Sequence, residues 1–300
     1  LIGLWHLAQH PARLRDTDIG REIFAEAERR AGAPLPPDLG QPQVVVLACD
    51  NMTAGVPDQD LDGPARTLHE RFLWRLFGND YPLFQRYRVH QADKHKLAEA
   101  LKEVDRPVLI LVDEILDYVR QLSKPELADL AVGDMAFLRA LLDAVNDVPK
   151  VAMVVVMIAT ESDSIDLDAG GRNRRAELDD LLVRNGKTAT VTTAADFAAI
   201  LRRRLLQGHA PQDVIEATAR SFLANVANAW TDKVFRYLPR ASAVDFAEEV
   251  ARCYPFHPGL IDLAEREWAP IAGFQKVRST IRIFAATIFA LNARAQQGYW

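Results

Sequence analysis

The residues with the clearest capacity for chemistry close one apolar run, Val108-Leu109-Ile110-Leu111-Val112-Asp113-Glu114. A run so uniformly hydrophobic predicts a strand covered on both faces, as in a parallel sheet. Its last two residues would set two carboxylates at the carboxyl edge, where open α/β sheets bind ligands. Ionised groups there need a cation, hydrogen bonds or water to offset lost solvation. Such a pair suits metal-assisted hydrolysis, one carboxylate able to hold a divalent ion and the other to act as a base toward water. The plainer alternative is an acidic strand end that caps the helix following over Ile115–Val119.

Further positions bear on that choice. The next apolar run, Val151–Ala159, ends in Thr160. In AAA+ ATPases the strand beside the carboxylate pair ends in a polar residue, sensor 1, that faces the γ-phosphate and the lytic water, and Thr160 has the hydroxyl to do this. A phosphate-cradling loop needs GxxxxGK(S/T) between a strand and a helix, so that backbone N–H groups and the lysine face the phosphates. Gly186-Lys187-Thr188 has the last three residues, but Leu181 stands where the first glycine belongs, and a helix precedes it while a strand follows. It is a decoy. Leu1–Gln9, with Leu1, Leu4, Trp5 and Ala8 at helical spacing, reads as a helix already in progress and takes the place of the one that follows a phosphate loop. The expectation is therefore a piece of a longer protein, with the loop immediately upstream of Leu1.

Arginines are the remaining candidates for phosphate contact. Arg278 and Arg282 are four apart on one predicted helix face and could serve as sensor 2. Arg184 ends a helix just before the last strand, where AAA+ proteins carry the finger that enters a neighbour's site; Arg172, Arg174 and Arg175 are its rivals. For each of them the plain alternative is a solvated or ion-paired surface side chain. Arg202-Arg203-Arg204 point three ways around a helix and form no single site. The seven histidines include no HExxH or other metal-ligand pairing, no GxSxG elbow exists, and the aromatic residues make no stacking platform.

These residues need a scaffold, and composition allows one. A chain of 300 residues, 49% hydrophobic and 26% charged, can bury one large core or two moderate ones. Cys49 and Cys253 are too few for a disulfide framework and point to a reducing, cytoplasmic setting with both thiols as small buried hydrophobes. No run is long enough to span a bilayer, and Leu1–Ala8 lacks the basic leader and cleavage site of a secretory signal. The formal charge of −5 arises from an acidic residue 1–193 segment; residues 194–300 are mildly basic, compatible with polyanion contact but well short of a nucleic-acid signature.

Up to Thr193 strand and helix patterns alternate. Gln43–Asp50, Pro107–Val112 and Val151–Ala159 read as strands, with Tyr87–Val89 and Thr188–Thr192 as shorter ones. Gly63–Phe77, Asp93–Val104 and Asp134–Val145 read as helices, the last capped by Asp134, and Glu161–Arg175 as a loop. After Thr193 only helical periodicity remains, over Ala194–Leu206, Pro211–Ala229, Ala243–Cys253, Pro258–Trp268 and Gln275–Ala295. The expected organisation is an α/β domain over residues 1–193 and an all-helical domain over 194–300.

Four blocks together carry a family resemblance: VLILVDEILDYV (108–119), AILRRRLL (199–206), YPFHPGLIDLAEREW (254–268) and GFQKVRSTIRIFA (273–285). They resemble the large bacterial ATPases of phage-defence loci, the family of the phage-growth-limitation and BREX-associated ATP-binding proteins, across essentially the whole chain. The resemblance implies a parallel-sheet P-loop NTPase core of AAA+ type with a helical lid, lacking here its first strand and phosphate loop. It implies ATP and Mg²⁺ as ligands, with Asp113 and Glu114 as the Mg²⁺ and base carboxylates, and Arg278 and Arg282 within the arginine-bearing helix. The partners implied are other defence components, of methyltransferase, nuclease or helicase type, with DNA contact and oligomerisation both left open. The competing expectation is a non-catalytic AAA+-like scaffold that binds partner proteins or DNA. Without its phosphate loop, the 300-residue piece alone is expected to bind ATP weakly or not at all.

Overall fold

The computed structural model describes residues 1–58, 60–157, 169–187, 194–208, 210–229, 246–268, 271 and 276–298. The chain forms two compact units, Leu1–Thr188 and Ala189–Trp300. Among the described residues the first is an α/β unit around a three-stranded parallel sheet, and the second is helical. Among the described residues no helix is long and apolar enough to cross a membrane.

The first unit opens with α1 (Ile2–Gln9), α2 (Pro11–Arg15) and α3 (Asp18–Ala31). Thr17 caps α3 by accepting from the Gly20 N–H, and Gly32 ends it in the left-handed conformation. On α1 only Ala8 is buried; Leu4 and Trp5 of the expected apolar stripe are each 37% exposed. Next come β1 (Gln43–Ala48), α4 (Leu68–Leu76), α5 (Tyr81–Tyr87), α6 (Lys94–Glu103), β2 (Val108–Asp113), α7 (Ile115–Gln121), α8 (Ala128–Asp147), β3 (Val151–Val155) and α9 (Ala169–Asn185). The sheet order is β1-β2-β3, and both pairings are parallel, with Ala48 level with Asp113 and Val112 level with Val155. The expected parallel pairing of Val108–Val112 with Val151–Ala159 is present over Val151–Val155.

The period-2 pleat sorts these strands cleanly. Val45 and Leu47 of β1 and Val108, Ile110 and Val112 of β2 enter one continuous core with Phe72, Phe84, Leu97, Tyr118, Phe137 and Leu141 from the helices. On the opposite face Leu111 is buried, while Val44, Val46 and Leu109 are only half-buried. Coverage is thus complete on one face and partial on the other, a refinement of the expectation of two covered faces. A non-glycine residue in the left-handed region leads into each strand: Gln41 (φ 50°), Asp105 (φ 49°) and Lys150 (φ 63°).

Two buried carboxylates tie helices to this core. Asp62 is 1% exposed and sits between two arginines of α4, with Nε of Arg71 at 3.2 Å and Nη2 of Arg75 at 2.6 Å. Arg75 also donates from Nη1 to the carbonyl of Val46, so the pair links the chain after β1 to the strand itself. Asp134 is wholly buried and accepts from the Tyr118 hydroxyl (2.6 Å), the Leu68 N–H (3.1 Å) and Gln91 Nε2 (3.3 Å). Asp134 therefore does not begin a helix. It lies inside α8, which starts six residues earlier than expected, and it serves the first N–H of α4 instead. The cap of α4 is Thr67, in a reciprocal capping box with Glu70, whose carboxylate also pairs with Arg88 at 2.9 Å.

Three further expectations are corrected. Tyr87–Val89 is not a strand: Tyr87 ends α5, which buries Phe84 and Tyr87, and that anchoring prevails over the β-like local composition. The helix expected over Gly63–Phe77 starts only at Leu68, because residues before Thr67 turn around Asp62, with Ala65 donating to the Asp62 carbonyl. Within the expected loop Glu161–Arg175, residues from Ala169 onward are helical. Thr188–Thr192 lies outside the described residues.

The second unit contains α10 (Ala194–Leu205), α11 (Gln212–Ala229), α12 (Phe246–Cys253), α13 (Pro258–Asp262) continued by a π-helical turn over Leu263–Trp268, and α14 (Lys276–Gln296). Phe197 and Leu201 of α10, Cys253, Phe256, Ile261 and Phe284 of α14 make one small core. Phe246, Val250 and Ala219 make another.

Burial raises the Asp134 carboxyl to about 6, desolvation outweighing its hydrogen bonds. A carboxyl raised on folding adds stability that is fully present below its unfolded value and is lost as pH rises through 6. His69 works oppositely: burial lowers it to about 4, so its contribution is lost as pH falls. Asp134→Asn keeps an acceptor but removes the titration. Its stability relative to the parent should therefore rise by on the order of 2–3 kcal/mol between pH 4 and pH 7. Urea unfolding of both proteins across that range measures it, and the comparison cancels His69. A difference independent of pH refutes the assignment.

Candidate functional site

The carboxyl edge of the sheet gathers three strand ends. After β1 the chain makes a 3₁₀ turn, Cys49–Asn51, with Asp50 and Asn51 exposed and Asn51 Nδ2 donating to Asp50 Oδ1 at 3.0 Å. Level with it, β2 ends at Asp113 and passes to Glu114, both half-buried. On the other side Val156 donates to the Val112 carbonyl at 2.9 Å, which carries the β2–β3 ladder one step past β3. Asp113 therefore ends the central strand, level with Ala48 of β1, and Glu114 follows it at the start of α7.

Glu114 bears on whether the acidic strand end caps the following helix. It occupies the N-cap position of α7, yet its side chain makes no capping hydrogen bond. Its backbone is left-handed, φ 49° and ψ 43°, while its carbonyl accepts from the Asp117 N–H at 3.0 Å. A non-glycine residue there is strained by roughly 1–3 kcal/mol and persists only where its surroundings over-determine it. Those surroundings are visible. Gln121, at the far end of α7, donates to the Met52 carbonyl (2.8 Å) and accepts from the Ala54 N–H (3.0 Å), clamping α7 to the chain beyond β1. Ile115, Tyr118 and Val119 are buried on the same helix. Glu114 thus does not meet the alternative of a capping carboxylate: the strand end turns sharply, and its side chain makes no capping hydrogen bond to α7.

Neighbouring chemistry is quiet. Cys49 is buried, donates to the Leu47 carbonyl at 3.6 Å, and is pushed up to about 12 by burial; it is a packed hydrophobe with no thiolate to offer. Cys253 is likewise buried. Among the described residues no group of three or more His, Cys, Asp or Glu is arranged to hold a metal ion.

The other sequence candidates are distributed as follows. Thr160 lies outside the described residues, beyond Met157. Arg184 is exposed on α9 and lies 3.9 Å from Asp180, a surface pair one helical turn away. Arg172, Arg174 and Arg175 lie on the same helix, not on a loop. Arg278 and Arg282 are on α14 of the second unit, one turn apart; Arg282 is exposed, and the Arg278 side chain lies outside the described part. The buried Asp62–Arg71–Arg75 cluster was missed by the sequence reading. Its signal is there: Arg71 and Arg75 fall on the stripe of α4 that carries Leu68, Phe72 and Leu76, and a charge inside an apolar stripe demands a buried partner.

Strain at position 114 can be measured directly. Glu114→Gly relieves the left-handed conformation, whereas Glu114→Ala retains it. The Gly variant should be the more stable of the two by about 1 kcal/mol, reversing the usual order of these residues. Thermal unfolding of both variants tests this, and an alanine variant that is equally or more stable would show position 114 to be unstrained.

The family model of the DUF499 N-terminal domain matches residues 1–188, the extent of the first compact unit. No curated protein and no solved structure matches the chain.

Proposed function

This chain belongs to the family of the DUF499 N-terminal domain, and we propose that it is the ATPase module of a bacterial anti-phage or DNA-processing complex. In this reading residues 1–193 are a P-loop NTPase core of AAA+ type and residues 194–300 its helical lid. Conformational change driven by ATP hydrolysis is the output. The supporting observation is the carboxyl edge of β2, where Asp113 ends the central parallel strand and Glu114 follows it without a side-chain cap to α7. The four sequence blocks that resemble phage-defence ATPases support the choice of ATP and of the biological setting, in the cytoplasm beside other defence components.

Asp113 fits the ion this reading requires. It offers hard carboxylate oxygens on a half-buried strand end, and Mg²⁺ is commonly held by one or two such groups together with waters and phosphate oxygens. When bound, the ion would neutralise charge on the phosphates. Glu114 orients the attacking water and takes its proton at a carboxylate oxygen. The fixed backbone of Glu114 suits that task, since a base must keep its direction through the reaction. Thr160 is assigned to the same water and the γ-phosphate, Arg278 or Arg282 to the phosphates from the lid, and Arg184 to a neighbouring protomer's site. The 300 residues contain no GxxxxGK(S/T). Hydrolysis is measured on the full gene product.

In that protein Glu114→Gln keeps size and hydrogen bonding but removes the proton acceptor, so turnover should fall by roughly a hundred- to ten-thousand-fold. Nucleotide affinity should be retained. Asp113→Ala should weaken Mg²⁺-dependent nucleotide binding as well as turnover. Steady-state hydrolysis and nucleotide titration of the two variants decide the matter. Unchanged turnover in Glu114→Gln overturns the catalytic assignment and leaves the scaffold reading.

A further inference from the structure

α14 turns one side to a core of the second unit and leaves the other in solvent. Thr280 and Phe284 are buried, and Ile288 packs against the same core as Phe284. On the opposite side stand the exposed Arg282 and, at i+7 on the same face, Phe289, about two helical turns further along. The Phe289 ring is 76% exposed. Its neighbours at i−4, i−3 and i+4 are Ala285, Ala286 and Ala293, all too short to cover it.

Charge also sets this helix apart. Lys276, Arg278, Arg282 and Arg294 stand on α14, which has no acidic residue. α10, which shares the core of Phe197, Leu201 and Phe284 with it, exposes Arg203 and Arg204. Among the described residues Arg203, Arg204, Arg282 and Arg294 enter no ion pair. The exposed Arg21, Arg29, Arg86 and Arg139 of the first unit, by contrast, pair with carboxylates of their own unit. The modest net charge of residues 194–300 conceals this separation, because acids such as Glu216 and Glu248 lie on other helices.

We propose that this face of α14 docks a single strand of nucleic acid, with phosphates on Arg282 and the adjoining arginines and a base stacked on the Phe289 ring. Guanidinium groups without carboxylate partners exchange their counterions for phosphodiesters and break no ion pair in doing so. An uncovered aromatic ring beside such groups supplies the flat apolar surface on which an unpaired base stacks. A duplex keeps its bases stacked on one another and can use only the charge. An acidic polypeptide likewise matches the charge but has no base to stack. Sequence alone offers no stacking platform, since the helical pattern of α14 does not tell that Phe289 faces solvent while Phe284 faces the core. Arg282 in this role leaves Arg278 as the lid arginine of the ATPase reading.

The site is independent of Asp113 and Glu114. Its test is the fluorescence anisotropy of a labelled oligothymidine of about 16 residues, titrated with the 300-residue chain without ATP over a series of salt concentrations. Binding should saturate, and the logarithm of the affinity should fall linearly with the logarithm of salt concentration. Phe289→Ala should weaken binding by at least roughly fivefold, with the salt slope and the unfolding midpoint unchanged. Phe289→Leu keeps apolar bulk without the ring and should lose as much, while Phe289→Trp should retain affinity. Arg282→Gln should reduce the slope by about 0.7, the share of one phosphate contact. Arg29→Gln, on the first unit, should change nothing. Oligouridine should bind within a few-fold of oligothymidine, because ring and phosphate contacts are common to both. Glu114→Gln should bind as the parent does, so this proposal and the hydrolytic one fail separately. Absence of saturable binding, duplex DNA bound as tightly as the single strand, or full affinity in Phe289→Leu each overturn the proposal. So does polyglutamate competing as well as oligothymidine, which would mark an acidic protein as the occupant.

Discussion

Every feature at the carboxyl edge depends on β2 being hydrogen-bonded in parallel on both sides. At one end the Val108 N–H reaches the Lys150 carbonyl, and at the other the Val112 carbonyl receives the Val156 N–H. A strand so held cannot slip by one residue without exchanging Ile110 and Val112 for Leu109 and Leu111 across the sheet. That exchange would move the buried set to the less covered face. The positions of Asp113 and Glu114 are therefore fixed by the apolar residues of β2 that precede them. Parallel pairing has a further requirement, since each crossover must be covered by helix, and α4 to α6 and α7 to α8 fill those crossovers.

The helices are in turn located by buried charge as well as by packing. Asp62 binds the turn before α4 to two arginines on that helix, and Arg75 extends the contact to β1. Asp134 joins α8 to the hydroxyl of α7 and the first N–H of α4. Such groups add little net stability over a well-packed apolar equivalent, because desolvation consumes most of the attraction. Their contribution here is geometric: each allows only one arrangement of three or more segments. α7 is reached from both sides, through Tyr118 and through Gln121, which leaves the residue at its start little freedom.

What the sequence makes legible follows from these forces. The three strands are readable because each is a short, nearly unbroken apolar run, and the alternation of strands with amphipathic helices gives the α/β class of the first unit. α6 is readable from Asp93, whose carboxylate accepts from the N–H groups of His95 and Lys96 at the start of the helix. The same rule misleads at Asp134, since an aspartate before an apolar run looks alike whether it caps its own helix or serves another one in the core. α3 went unread because its fourteen residues are dominated by charge and only Gly20 and Phe24 are buried; Thr17 and Gly32 were the available signals. The carboxylate pair itself was legible, but the left-handed backbone of Glu114 was not, because no glycine or asparagine marks it and tertiary clamping alone imposes it.

The residues that lead into the strands have an implication for how this protein can change over time. Gln41, Asp105 and Lys150 spend conformational energy at the amino edge, where each strand begins, while the acidic pair stands at the opposite end of β2. Replacement of one of them by glycine or asparagine would relax the turn without altering a side chain near Asp113. The scaffold thus holds an untapped reserve of robustness that is spatially separate from the acidic pair. Mutations that reshape the carboxyl edge at some cost in stability can be tolerated, since compensation lies a strand's length away.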